Sequence, residues 1–139
     1  MHKSWWVFIL LGLPLTAFAG KEHSALMACY KASETHVEVT ACLDNHWKVA
    51  QDALNKTETA LRAHFTKLDE VSSASDALPM ITSAMEGFQY WRENQCKMVE
   101  ASYASGSGSG QGYLNCMIEL TNEQIIRLNS LMGVKGGAK

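Results

Sequence analysis

No apolar run in this 139-residue sequence is long enough to cross a bilayer: the longest, Trp5 to Leu15, spans about 11 residues where a membrane helix takes roughly 20. No stretch alternates apolar and polar residues with the period of two that a half-buried strand requires, so a sheet protein is not expected. The four cysteines form no C-x-x-C pair, which argues against zinc ribbons and thioredoxin-like redox motifs. His23, His36, His46 and His64 include no two at i, i+4 and no H-E-x-x-H, so they read as surface or seam residues and not as a metal centre. There is no G-x-S-x-G and no S-x-x-K, hence no serine nucleophile motif. Carboxylate pairs such as Asp69 with Glu70, or Asp52 with Glu58, fall along a helix without a cleft signature and read as a solvated face. The glycines around Gly106 alternate with serine and lack the preceding strand and the lysine of a phosphate-binding loop. These absences together speak against an enzyme and against any metal or other cofactor.

What is present begins with an export signal. A short basic start (His2, Lys3), the apolar run and Ala17-Phe18-Ala19 before Gly20 are the three regions of a cleavable signal peptide over residues 1–19. The first cysteine, Cys29, lies ten residues into the mature chain, too late for a lipid anchor at the cleavage site. The expected product is a periplasmic or secreted protein without a membrane anchor, one domain over residues 20–132 with a disordered tail at 133–139. Cleavage leaves eleven basic and fourteen acidic side chains, a formal charge of −3 that argues against nucleic acid and leans toward a basic partner.

Periodicity and punctuation mark four helices. The first runs from about Glu22 to Ala32 with Ala25, Leu26 and Cys29 on one side. The second opens at Thr35, where Thr35 and Glu38 have the spacing of a capping box. Trp47, Leu54, Leu61 and Leu68 then recur every seven residues, with Ala50, Thr57, His64 and Val71 between them, as in a bundle seam. Residues 72–76 break the pattern, and Asp76 is placed to cap a third helix that tolerates Pro79 in its first turn. Its buried face is expected to carry Ile81, Met85, Phe88, Trp91 and either Gln95 or Cys96, ending near Tyr103. A flexible Gly/Ser loop follows, and a fourth helix starts near Gly112, burying Leu114, Met117, Leu120 or Thr121, Gln124, Leu128 and Leu131 before Gly133.

An even cysteine count in an exported chain favours disulfides, and four cysteines allow three pairings. Symmetry about the turns chooses among them. Cys29 lies six residues before Thr35 and Cys42 seven after it, while Cys96 and Cys116 each lie ten residues from Gly106. In helical hairpins these positions sit at matching heights, which favours Cys29 with Cys42 and Cys96 with Cys116. The fold expected is therefore all-α, a small four-helix bundle of two helical hairpins stapled by two disulfides.

Several elements in combination resemble the LprI-like lysozyme-inhibitor family of exported bacterial proteins. The family's early cysteine pair corresponds to Cys29 and Cys42, and its A-D-x-x-L-N element to Gln51-Asp52-Ala53-Leu54-Asn55. Its W-x-x-x-R-D-x-x-C element corresponds to Trp91-Arg92-Glu93-Asn94-Gln95-Cys96, and its C-x-x-x-L-T to Cys116 through Leu120 and Thr121. Here Trp91 and Arg92 are adjacent where the family spaces them, and Gln124 stands where the family often has an arginine. Leu54 and Trp91 suit any helical core, whereas polar groups near a seam need partners, so Asp52 or Asn55 is expected to hydrogen-bond across to Arg92.

The resemblance implies a non-enzymatic activity: binding and inhibiting a lysozyme-type peptidoglycan hydrolase. The expected means is occlusion of the hydrolase cleft by loop 104–112, with Tyr103 and Tyr113 as aromatic anchors and Ser105, Ser107, Ser109 and Gln111 as polar contacts. The same segment also reads as a plain connector between the third and fourth helices, the simpler of the two readings. An immunity or adaptor protein against another envelope toxin, and a structural envelope protein, are the competing roles.

Overall fold

The computed structural model describes residues 24–73 and 76–134, so the signal-peptide reading of residues 1–19, His23 and the tail from 135 onward lie outside the described residues. The order is α1 (Ala25–Ala32), α2 (His36–Val71), α3 (Ala77–Ser102) and α4 (Ser109–Leu131). No helix among the described residues is long and apolar enough to cross a membrane. Among the described residues the architecture is all-α with four helices, as expected.

Each boundary has a local chemical cause. Ser24 accepts a hydrogen bond from the Met27 amide and starts α1. At α2 the expected capping box is complete: the Glu38 amide donates to Thr35 Oγ1 while the Thr35 amide donates to Glu38 Oε2. Asp76 occupies the cap position of α3, but its side chain makes no capping bond. Asp69, near the end of α2, accepts from the Ala77 and Leu78 amides at 3.4 and 3.3 Å instead, so one helix caps the next. The left-handed Gly133 (φ 71°) ends α4, with the Val134 amide reaching back to the Asn129 carbonyl in a Schellman motif.

The helices pack around α4, which makes its most extensive contacts with α2 and α3, while α2 and α3 touch each other much less. Short α1 lies against α2 and α4. Both disulfides join the expected partners, Cys29 with Cys42 and Cys96 with Cys116. Each closes a short loop, and each should contribute on the order of 3 kcal/mol through the unfolded state. Because α2 starts and α3 ends beside them, both staples and both hairpin turns lie at one end of the bundle.

Two apolar clusters fill the interior. Cys29, Val39, Leu43 and Ile118 form the one at the stapled end, edged by Trp47 and Leu114. Leu54, Leu61, Ile81, Met85 and Leu128 form the other, edged by Phe65 and Phe88.

The heptad seam on α2 holds through Leu61 and then fails: His64 and Leu68 are exposed and Val71 is 84 % exposed. A straight helix drifts by about 20° per heptad against a seven-residue repeat. Burial accordingly passes from the 64/68/71 row to Phe65. On α3, Trp91 is 47 % exposed and Arg92 takes the interior position, because 81, 85, 88, 92 and 96 follow the helical period while 91 falls to the edge. On α4, Met117, Thr121 and Leu128 are buried as expected, Leu131 is exposed, and Gln111, Gly112 and Ile118 join the interior.

Capping from the preceding helix sets the stability of the α2–α3 turn. Asp69→Ala should lower unfolding stability by about 1 kcal/mol, and Asp76→Ala should stay within about 0.5 kcal/mol of the parent. Urea unfolding of both variants decides this, and equal losses would return the cap to Asp76.

Candidate functional site

At the stapled end the α1–α2 turn and the α3–α4 loop come together through Gln111. Tyr30 Oη donates to Gln111 Oε1 at 2.6 Å, and Gln111 Nε2 donates to the His36 carbonyl at 3.2 Å and Thr40 Oγ1 at 3.3 Å. Gln111 is buried, so these bonds replace the water it would otherwise hold. Tyr30 also meets the His36 ring edge-on at 6.2 Å.

The Gly/Ser segment is shorter and more ordered than a free linker. Ser109, Gly110 and Gln111 already belong to α4, leaving residues 103–108 as the connection. Ala104 and Ser105 adopt left-handed backbone angles (φ 48° and 69°), a conformation that costs a non-glycine residue about 1–2 kcal/mol. The Gly106 amide donates to the Tyr103 carbonyl and the Ser109 amide to the Gly106 carbonyl. The Tyr103 ring folds back over the start of α4, where a Cβ on Gly112 would come within 2.5 Å of it. Glycine at 112 is the seat of that ring. Ser105 and Ser107 remain exposed, Ser109 and Tyr113 are half-buried, and Tyr103 keeps an outward edge. A surface groove of about 520 Å³ runs between Ser107 and the first turns of α2, with Val37, 80 % exposed, at its lip.

Deeper in the bundle Arg92 is only 5 % exposed. Its guanidinium carbon lies 4.8 Å from the Trp47 ring centre and 5.2 Å from that of Phe88. Nη1 donates to Thr121 Oγ1 at 2.7 Å, and Nε is buried without a hydrogen-bond partner among the described residues. Burial lowers the guanidinium pKa, opposed by Tyr113 and by Glu93, and an arginine remains cationic under that pull. The expected bond from Asp52 or Asn55 is not formed: Asp52 is exposed, and Asn55 Oδ1 accepts from Gln51 Nε2 on its own helix. Helix α2 turns both residues outward, and the aromatic face of Trp47 meets the cation in their place. On the surface beside it, Lys97 holds the Glu93 carboxyl below its ordinary range, an exposed pair that adds little stability.

Of the residues singled out from sequence, Leu54, Arg92, Thr121 and Gln111 are interior, Asp52 and Asn55 are solvated, and Trp91 borders a groove of about 560 Å³ between α3 and α4. His36, His46 and His64 are all exposed, so His64 is not a seam residue. Trp47 as a guanidinium platform was hidden by its place in an apolar repeat, and Gln111 by its place in a low-complexity segment.

A doubly stapled all-helical domain with a cation layer in its interior and an ordered polar loop at the stapled end is the class defined here. The chain belongs to the family described as lysozyme inhibitor LprI, whose profile matches residues 27–128. No curated protein and no solved structure matches it. Members of that family are named for inhibition and not for catalysis.

Thr121→Val leaves the buried guanidinium without its acceptor and should cost about 1–3 kcal/mol. Adding Arg92→Met removes the stranded charge and should restore most of that loss. Chemical denaturation of the single and double variants measures the coupling; independent, additive losses would mean that Thr121 does not serve the cation.

Proposed function

We propose that this protein is exported and inhibits a lysozyme-type peptidoglycan hydrolase by covering its cleft with the stapled end. The family match over residues 27–128 carries this reading. The geometry supports it. The loop is held out by Tyr103 on Gly112, it contains two left-handed residues, and strain of that kind concentrates at ligand-contacting segments. Disulfides on both flanking hairpins fix the loop before any partner arrives, which lowers the entropy lost on binding.

In this arrangement Tyr103 and Tyr113 supply aromatic contact, Ser105 and Ser107 supply hydroxyls, and Ser109 and Gln111 hold the loop from inside α4. The net negative charge of the mature chain would steer a basic hydrolase toward it.

The test is a titration of mature protein against c-type and g-type lysozymes and an N-acetylmuramoyl amidase, with Val37→Arg and Ser107→Arg alongside. Both positions are exposed, so the fold is not at risk. Inhibition of a lysozyme by the parent and a loss of at least about tenfold in each variant is expected, the scale of a disrupted interface centre. Undiminished inhibition by both variants would remove the stapled end as the binding surface. Inhibition of the amidase alone would favour the immunity-protein role.

A further inference from the structure

We propose that the Cys29–Cys42 staple is also a latent zinc site, formed with His46 when the disulfide is reduced. Cys42 and His46 stand four residues apart on α2 and share one face, the i, i+4 spacing that brings two ligands to one ion. Cys29 approaches from α1, and a ligand atom from each of the three residues lies within 4.8 Å of the others. Zinc bonds to sulfur at about 2.3 Å and to imidazole nitrogen at about 2.0 Å, which places tetrahedral ligands about 3.5–3.8 Å apart. Bringing the imidazole in by about 1 Å, with the freed sulfurs parting to this spacing, needs side-chain rotation and no change in helix packing.

Access is provided. A surface cavity of about 300 Å³ opens over Cys42, lined by Asn45, His46 and Val49, while Cys29 is wholly buried. A metal held on the inner side by two sulfurs and at the rim by His46 would keep its fourth position toward that cavity for water. The Cys96–Cys116 disulfide belongs to no such ligand group among the described residues. A search of the sequence for paired histidines passes over this mixed pair.

The chemistry balances with a dithiol as reductant. Its first thiolate attacks the accessible Cys42 sulfur, breaking the Sγ–Sγ bond and releasing Cys29 as a thiolate that takes up a proton. Its second thiolate attacks its own sulfur in the mixed disulfide, freeing Cys42, which is protonated likewise, and the reductant leaves as a cyclic disulfide. Two electrons and two protons pass to the protein. Zinc binding then displaces two protons from the thiols, and neutral His46 donates a lone pair. The α1–α2 hairpin thereby keeps a cross-link in a reducing environment.

Cobalt(II) is the probe, added to the full mature protein before and after reduction and removal of the dithiol. The reduced parent should take up one cobalt with a thiolate charge-transfer band and tetrahedral d–d absorption, displaced by zinc, and the oxidised protein should show neither. His46→Ala retains all four cysteines and an exposed position that the fold does not need, and it should weaken binding by at least about tenfold. Cys96→Ser/Cys116→Ser should keep the band. Absence of the band in the reduced parent, or unchanged affinity in His46→Ala, would overturn the site. If the double serine variant does not fold, the His46→Ala comparison alone decides.

Discussion

One buried cation organises this bundle. Arg92 sits where the two apolar clusters meet, with Phe88 from one and Trp47 from the other on its faces and the Thr121 hydroxyl at its edge. A guanidinium is the cation least averse to such a site: it is flat, weakly hydrated, and presents π faces to aromatic rings. Among the described residues no carboxylate hydrogen-bonds to it, and its position is set by three helices at once, α2 through Trp47, α3 through its own backbone and α4 through Thr121. A slip of any one helix by a residue would leave the charge buried and unaccommodated, a penalty that favours a single register.

The same layer shows where sequence reading reaches and where it stops. The helices, their order and the disulfide pairing were legible because periodicity, a capping box and the symmetry of cysteines about two turns are local signals. The partner of Arg92 was not, because it depends on which residues of three helices face inward at one height. Reasoning that polar groups near a seam need partners pointed to Asp52 or Asn55, whereas helical rotation carries both to solvent and brings an aromatic ring inward. The α2 seam was legible for as long as a seven-residue repeat and a 3.6-residue helix stay in phase, and no further. The Gly/Ser segment misled in the opposite direction: its composition signals freedom, but Tyr103 seated on Gly112 and Gln111 held by Tyr30 and the start of α2 give it a shape.

That shape connects fold to function. The residues proposed to meet a hydrolase and those that order the loop alternate along the same short stretch, with Ser105 and Ser107 outward and Gln111 inward. A surface built this way differs from a floppy connector in that part of its backbone is already hydrogen-bonded within the chain, leaving less to be ordered on contact. The family shared over residues 27–128 spans all of this framework: both staples, the cation layer and the loop.

Both cross-links lie at one end, and this makes the molecule mechanically lopsided. Beyond Leu61 the far end of α2 and the start of α3 carry no disulfide; among the described residues, besides the turn that connects them, side-chain packing and hydrogen bonds including those of Asp69 and of Arg62 to Thr82 hold them. Partial opening should therefore begin at that unstapled end and travel toward the staples. Amides near Leu68 and Leu78 would exchange with solvent long before those near Leu43 and Ile118. The molecule would thus fray at one pole while the opposite pole kept its form.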